Sequence, residues 1–366
     1  MVPTVQRLTA LAAGVACVLA LLLTATASAR PAVPYTFTYA NVTDASPLFK
    51  TVGDLLVTKG KKVDIDVKRF NNNFDPQTAL TNAQLMVQQR PDLIIDWPGV
   101  EIGKSLGDVF ARGKIPCIAV NQSIPGCPFF NLVNRNLGVG AANIVASVMK
   151  QKRWTGKDTT VLMAGIPTVA VSGEQTDYFY SRLSKQIPGM TRATPKEITP
   201  ETTTIGKLPS GILLDGKGAL EPAYQVIKAT LQTLPKNRHL VVLGINDDMS
   251  LGAWRAITES GWQKNTLIVG QGGSADGLKN LRTNPSWVAE GTVFFEYWPD
   301  YLLAMGVAML NGVKPPALTY APQKVLSKQT VNEYYRGSTP RKIPPLHKQN
   351  QYLLKTGILQ KLGSAK

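Results

Sequence analysis

From Tyr35 onward, short apolar runs alternate with stretches whose apolar residues fall at helical spacing. That alternation restricts the chain to one broad architecture. Residues 36–40, 62–67, 93–95 and 115–120 read as strands. Between them Pro47 to about Thr58 and Pro76 to Gln89 read as helices, and Val109 and Phe110 sit on a third. The order βαβαβαβ implies a parallel sheet with helices on both faces. The pattern then restarts: helix 137–149, strand 160–164, helix 175–187, and helix 219–234 leading into strand 240–243. The chain is therefore α/β, with two doubly wound sheets in succession and no fixed-period repeat. Residues 199–217, with three consecutive threonines among glycines and prolines, read as a long surface loop. Two facing α/β halves create one cleft, a usual place for a small ligand.

The run Leu240–Leu243 ends in Asn246-Asp247-Asp248, after which helical spacing begins. A buried strand, a tight turn and a helix capped by Asp247 or Asp248 account for this pattern. It leaves Asn246 at a strand end, in the crevice where open α/β sheets bind ligands. About twenty residues on, strand Leu267–Gly270 ends at Gln271. Two strands ending in amides suggest a site that reads hydroxyls, because an amide both donates and accepts.

The N-terminus reads as a cleaved secretory signal over residues 1–29: Arg7, an apolar segment from Leu8 to about Leu23, then Ala27-Ser28-Ala29. The competing reading, a membrane anchor, needs a longer apolar core. A lipid-modified Cys17 needs an aliphatic residue where Gly14 stands. Export of the remaining 337 residues (366 − 29) leaves Cys117 and Cys127 for an oxidising compartment. They read as a disulfide, against the alternative of two buried thiols. His239 and His347 lie far apart, so no metal site is expected. Net charge is +16, or +15 once Arg7 is removed, and residues 336–366 hold seven Lys/Arg with no acid. That basic C-terminal extension lacks the interleaved aromatics of a nucleic-acid surface, so a solvated face or an anionic envelope explains it better.

Enzyme signatures fail on inspection. Pro98–Ser105 approaches a phosphate-binding loop, but Pro98 replaces its first glycine and the spacing is one residue short. Gly270-Gln271-Gly272-Gly273 does not have the glycine spacing of a dinucleotide fingerprint. There is no nucleophile elbow, and no spacing proposes a carboxylate pair.

Taken in order, residues 84–95, 113–116, 246–253, 270–272 and 291–293 resemble the bacterial periplasmic sugar-binding proteins of ABC importers, the ribose-binding type, over about residues 35–335. LacI-type repressors share that core but carry a DNA-binding helix-turn-helix where this chain has a signal. The resemblance implies a Venus-flytrap, a type I periplasmic binding protein: two doubly wound parallel-sheet lobes joined by a three-strand hinge. The N-terminal lobe would comprise residues 30–134 and 297–327, and the C-terminal lobe residues 135–296 and 328–335. It implies a monomer that closes on a sugar or polyol and delivers it to a membrane permease, without cofactor, catalysis or nucleic acid. The remaining alternatives are a sensor presenting its ligand to a receptor, or a secreted carbohydrate-active enzyme.

Position by position, Asn246 matches the family's hydroxyl-binding Asn. Asn121-Gln122 stand where Asp-Arg is usual, Gln175 near the usual Arg, and Gln271 at the usual Asp. The hinge Gln corresponds to Glu296, or to Tyr297 given one extra residue before Pro299. Phe49 keeps one stacking aromatic, and Trp97, with Trp298 as a second candidate, takes the place of the missing second one. Replacing Asp and Arg with amides keeps donors and acceptors but removes charge. Glu296 is then the only charge expected in the cleft.

Overall fold

A computed structural model describes residues 35–167, 170–204 and 208–365. The expected signal, residues 1–29 with Arg7, Cys17 and the cleavage site, lies outside the described residues. Strand β1 (Tyr35–Asn41), helix α1 (Pro47–Lys62), β2 (Ile65–Asn71), α2 (Pro76–Gln88), β3 (Leu93–Asp96), α3 (Gly103–Gly113), β4 (Cys117–Val120) and β5 (Phe129–Asn131) open the chain. Next come α4 (Asn134–Lys152), β6 (Thr159–Gly165), α5 (Ala170–Gln186), β7 (Gly211–Asp215), α6 (Leu220–Thr233), β8 (His239–Gly244), α7 (Asp247–Glu259) and β9 (Thr266–Gly272). Helix α8 (Ala275–Thr283), β10 (Trp287–Thr292), α9 (Trp298–Leu310), β11 (Leu318–Tyr320) and β12 (Lys324–Leu326) complete the two sheets.

Sheet one runs β11-β5-β4-β3-β1-β2, and sheet two β12-β10-β9-β8-β6-β7. The central pairings are parallel, and β12 joins β10 antiparallel. β6 and β9 are buried along their whole length, as strands covered on both faces must be. Edge strand β2 alternates buried and exposed residues at its start. Sequence-local signals set the helix starts: Asp75 caps α2 by accepting from the Thr78 N–H, and Pro76 fills the first helical position.

The chain crosses between the sheets at residues 131–134, 292–298 and 320–324. β12 already belongs to sheet two, so the third crossover precedes the expected boundary at 327/328. The loop expected over 199–217 is not one: it holds a short helix, Pro200–Thr204, and edge strand β7, which pairs in parallel with β6. The Cys117–Cys127 disulfide forms, with 4.9 Å between the Cα atoms. It closes the turn between β4 and β5 and contributes about 2–3 kcal/mol by restricting the unfolded chain. The basic extension packs on sheet one, where Asn350 donates from Nδ2 to the Tyr320 carbonyl and accepts from the Tyr320 N–H.

Candidate functional site

A cleft of about 870 Å³, partly open to solvent, lies where the carboxyl ends of both sheets meet. Its lining follows the strands directly: Val42 after β1, Trp97 after β3, Leu132 after β5, Ile166 after β6, Ile245 after β8 and Val293 after β10. This is the crevice at which doubly wound sheets bind ligands. Among the described residues that line it, none carries a formal charge.

Six amides supply its polarity. Asn121 is held in the left-handed region at φ 62°, which asparagine tolerates better than most residues. Gln122 is 6% exposed, and its Oε1 has no partner. Gln175 donates from Nε2 to Asn134 Oδ1 at 2.8 Å, while its own Oε1 is unpaired. Gln271 is 2% exposed, and neither of its polar atoms has a partner. Its side chain fits because β10 offers Gly291 beside it: a Cβ there would lie 1.7 Å from Gln271 Oε1. Buried amide atoms without partners are costly, about 1–3 kcal/mol each, and a hydroxylated ligand would satisfy them.

Asn246 lines the cleft, but the fold already uses its side chain. It is the cap of α7, accepting from the Met249 N–H at 2.8 Å and donating to the Gly218 carbonyl at 2.9 Å. The expectation that Asp247 or Asp248 caps this helix is thereby corrected. Asp247 instead accepts from the Ser274 N–H at 2.7 Å. Burial, then the neighbouring Asp247 charge, push the fully buried Glu290 carboxyl well above its ordinary value.

Five rings make the apolar wall. Phe49 lies 5.1 Å from Trp97 and 5.8 Å from Phe295, and Phe74 packs edge-on against Phe49 at 6.3 Å. Trp97 stacks on Trp298 at 5.2 Å. Trp298 donates from Nε1 to the Val293 carbonyl, so its polar edge is satisfied and its ring is free to pack.

The structure thus brings Phe49, Trp97, Asn121, Gln122, Gln175, Asn246 and Gln271 together, with Trp298 beside them. It does not bring Glu296, nor the alternative Tyr297. Phe294 adopts a left-handed φ of 49°, and the turn after it presents Phe295 and Trp298 to the cleft instead. The Glu296 backbone carbonyl accepts from Lys59 Nζ, which pairs at 2.8 Å with the buried Asp300. Burial raises the Glu296 carboxyl, with Lys59 opposing. Sequence reading missed Asn134, Phe74 and Phe295. Asn134 follows β5, a three-residue strand whose Phe129-Phe130-Asn131 offered the only signal.

No curated protein matches the chain. Solved structures do, and their low identity makes this a likeness of fold. An ABC transporter solute-binding protein from Mycobacterium smegmatis with bound glycerol aligns at TM-score 0.69 and 14% identity, covering 84% of this chain and 99% of that one. A periplasmic solute-binding protein of an ABC transporter from Actinobacillus succinogenes with bound D-allose aligns at 0.67 and 16%, covering 82% and 100%. A Mycobacterium smegmatis protein in complex with β-D-fucofuranose aligns at 0.67 and 17%, covering 82% and 93%. The family model described as periplasmic binding protein domain matches residues 37–309. With its two doubly wound sheets and the cleft at their carboxyl ends, the chain belongs to the periplasmic binding protein domain family.

Proposed function

We propose that this protein is the solute-binding component of an ABC importer, a monomer exported to the periplasm after loss of residues 1–29. It binds an uncharged sugar or polyol between its lobes and hands it to a membrane permease, performing no chemistry on it. The lobes are residues 30–134 with 297 to about 321, and residues 135–296 with about 324–341. Family membership and the sugars and polyols in structurally similar proteins support this reading.

The observation that carries it is the set of four buried, unpaired amide atoms on Gln122, Gln175 and Gln271. Gln122 follows a strand of sheet one, whereas Gln271 ends a strand of sheet two. Hydroxyls that satisfy both sides prefer the closed arrangement and shift the population toward it. The test is thermal-shift screening of the mature protein, unfolded and refolded to strip carried ligand, against pentoses, hexoses, polyols, amino sugars and amino acids. A ligand at 100 times its Kd adds about 2.7 kcal/mol. Neutral sugars or polyols should raise the midpoint; stabilisation by amino acids alone would overturn the reading.

A further inference from the structure

The cleft is more apolar than a fully hydroxylated sugar requires. On the sheet-one side and the second crossover stand the five rings of Phe49, Phe74, Trp97, Phe295 and Trp298. On the sheet-two side, Ile166 and Ile245 line the cleft and pack against Ala164, Ala223 and Met249. Leu48, Leu132 and Leu137 extend the apolar surface. Among the described residues lining the cleft, the fully buried unpaired polar atoms, by contrast, belong to three glutamines. A hexose carries hydroxyls around its whole rim, and a hydroxyl set against isoleucine or leucine loses water without gaining a partner. A methyl group in the same place gains roughly fourfold in affinity.

We propose, on the reading of the cleft as a sugar site, that its ligand is an uncharged sugar with at least one deoxygenated or alkylated position. Gln122, Gln175 and Gln271 hold the remaining hydroxyls, and the apolar edge lies against Ile166 and Ile245. Calorimetric titration of refolded wild type with matched pairs tests this: D-galactose against D-fucose, L-mannose against L-rhamnose, and D-glucose against its methyl glycosides. D-Galacturonate and D-galactosamine serve as charged members. The apolar member of at least one pair should bind ten times tighter or more, with no heat from the charged sugars. Equal or tighter binding of every fully hydroxylated member, or binding of a charged sugar, overturns the inference and leaves the sugar reading standing. No binding by any of these sugars, while a pentose or polyol stabilises the protein in the thermal-shift screen, overturns the inference alone; silence in both overturns the sugar reading with it.

The chain also crosses between the sheets a fourth time. Val331, Tyr334 and Tyr335 belong to the core of sheet two, and the Arg341 N–H donates to the Tyr334 carbonyl. The next docking points are all on the side of sheet one. Asn350 pairs with the Tyr320 backbone at 2.7 and 3.1 Å, and Tyr352 and Thr319 share a hydrogen bond between their hydroxyls. Ser364 donates to Asp300 on α9, and Lys361 reaches Asp64. Lys342 also pairs with Glu333 beside Tyr334, and His347 packs on the Tyr320 ring at 4.0 Å, so residues 343–346, Ile-Pro-Pro-Leu, form the span between the two sets. Four residues reach at most about 14 Å, and Pro344-Pro345 stiffens them. Pro344 and Pro345 flank the first and third crossovers, where Gln323 makes two hydrogen bonds to the Val133 backbone.

The geometry points to residues 343–346 as a strap that limits how far the lobes open. Small-angle scattering of the refolded, ligand-free protein reads this without reference to the ligand. Insertion of Gly-Ser-Gly-Ser between Pro345 and Leu346 slackens the strap while keeping both docked ends. Its radius of gyration should exceed that of wild type, and Pro344→Gly/Pro345→Gly should shift it in the same direction. Scattering identical to wild type from variants with native circular dichroism overturns the strap.

Discussion

Asn134 and Gln175 meet through a 2.8 Å hydrogen bond from Gln175 Nε2 to Asn134 Oδ1, and both side chains line the cleft. One end of the glutamine is thereby fixed, and its Oε1 is left buried and unpaired. Preorganisation of this kind reduces the ordering cost of ligand binding. Asn134→Ala should weaken binding roughly fivefold, the worth of about one hydrogen bond. Calorimetric titration with the ligand found by thermal shift measures it, and an unchanged affinity would remove Asn134 from the site.

Glu296 should prove indifferent to ligand. It lies outside the cleft lining, and its backbone carbonyl, not its carboxylate, receives Lys59. Glu296→Gln should leave Kd within twofold. Lys59→Met, in contrast, strands the buried Asp300 and should cost about 3–5 kcal/mol of stability. Urea denaturation of both variants separates the two effects.

The Cys117–Cys127 bridge braces the turn that carries Asn121 and Gln122. Cys117→Ala/Cys127→Ala should lose about 2–3 kcal/mol in denaturant unfolding. It should also bind more weakly than wild type, because two cleft amides lose their support. Equal affinity in the variant would show that the turn holds its shape unaided.

Asp96, buried at the end of β3, accepts from Asn72 with one oxygen and leaves the other unpaired. Burial pushes its carboxyl up to about 7, with the Asn72 hydrogen bond opposing. The folded chain therefore holds a proton that the unfolded chain, with a carboxyl near 4, releases first. Stability from this group is full below about pH 4 and falls as pH rises toward 7, by up to about 4 kcal/mol. Asp96→Asn should match wild type at pH 4 and exceed it at pH 8. Melting curves of the pair across that range check the sign, and parallel curves would contradict it.

The alternation of strands and helices was readable because buried parallel strands such as β6 and β9 are continuous apolar runs bounded by turn residues. β7 was not, since its Gly211-Ile212-Leu213-Leu214-Asp215 is short, half-buried and set among threonines, glycines and prolines. The cap of α7 was ambiguous for a local reason: Asn246, Asp247 and Asp248 are all good capping residues. What separates them is distant, because Asp247 is drawn to the Ser274 N–H, 27 residues further along the chain. Seven of the eight expected cleft residues do line it, since each follows a strand end or lies near a helix start that periodicity locates. Glu296 failed because the left-handed Phe294 redirects the second crossover, a backbone choice that no periodicity records.

The central claim is that one uncharged ligand bridges amides from both sheets. It is tested most directly by titrating the stabilising sugar into wild type, Gln122→Met and Gln271→Met. Both variants should keep the native circular dichroism and gain thermal stability without ligand, because each loses buried polar atoms that lack partners. Both should lose at least tenfold in affinity. Undiminished binding by either variant would contradict a ligand held from both sides of the cleft.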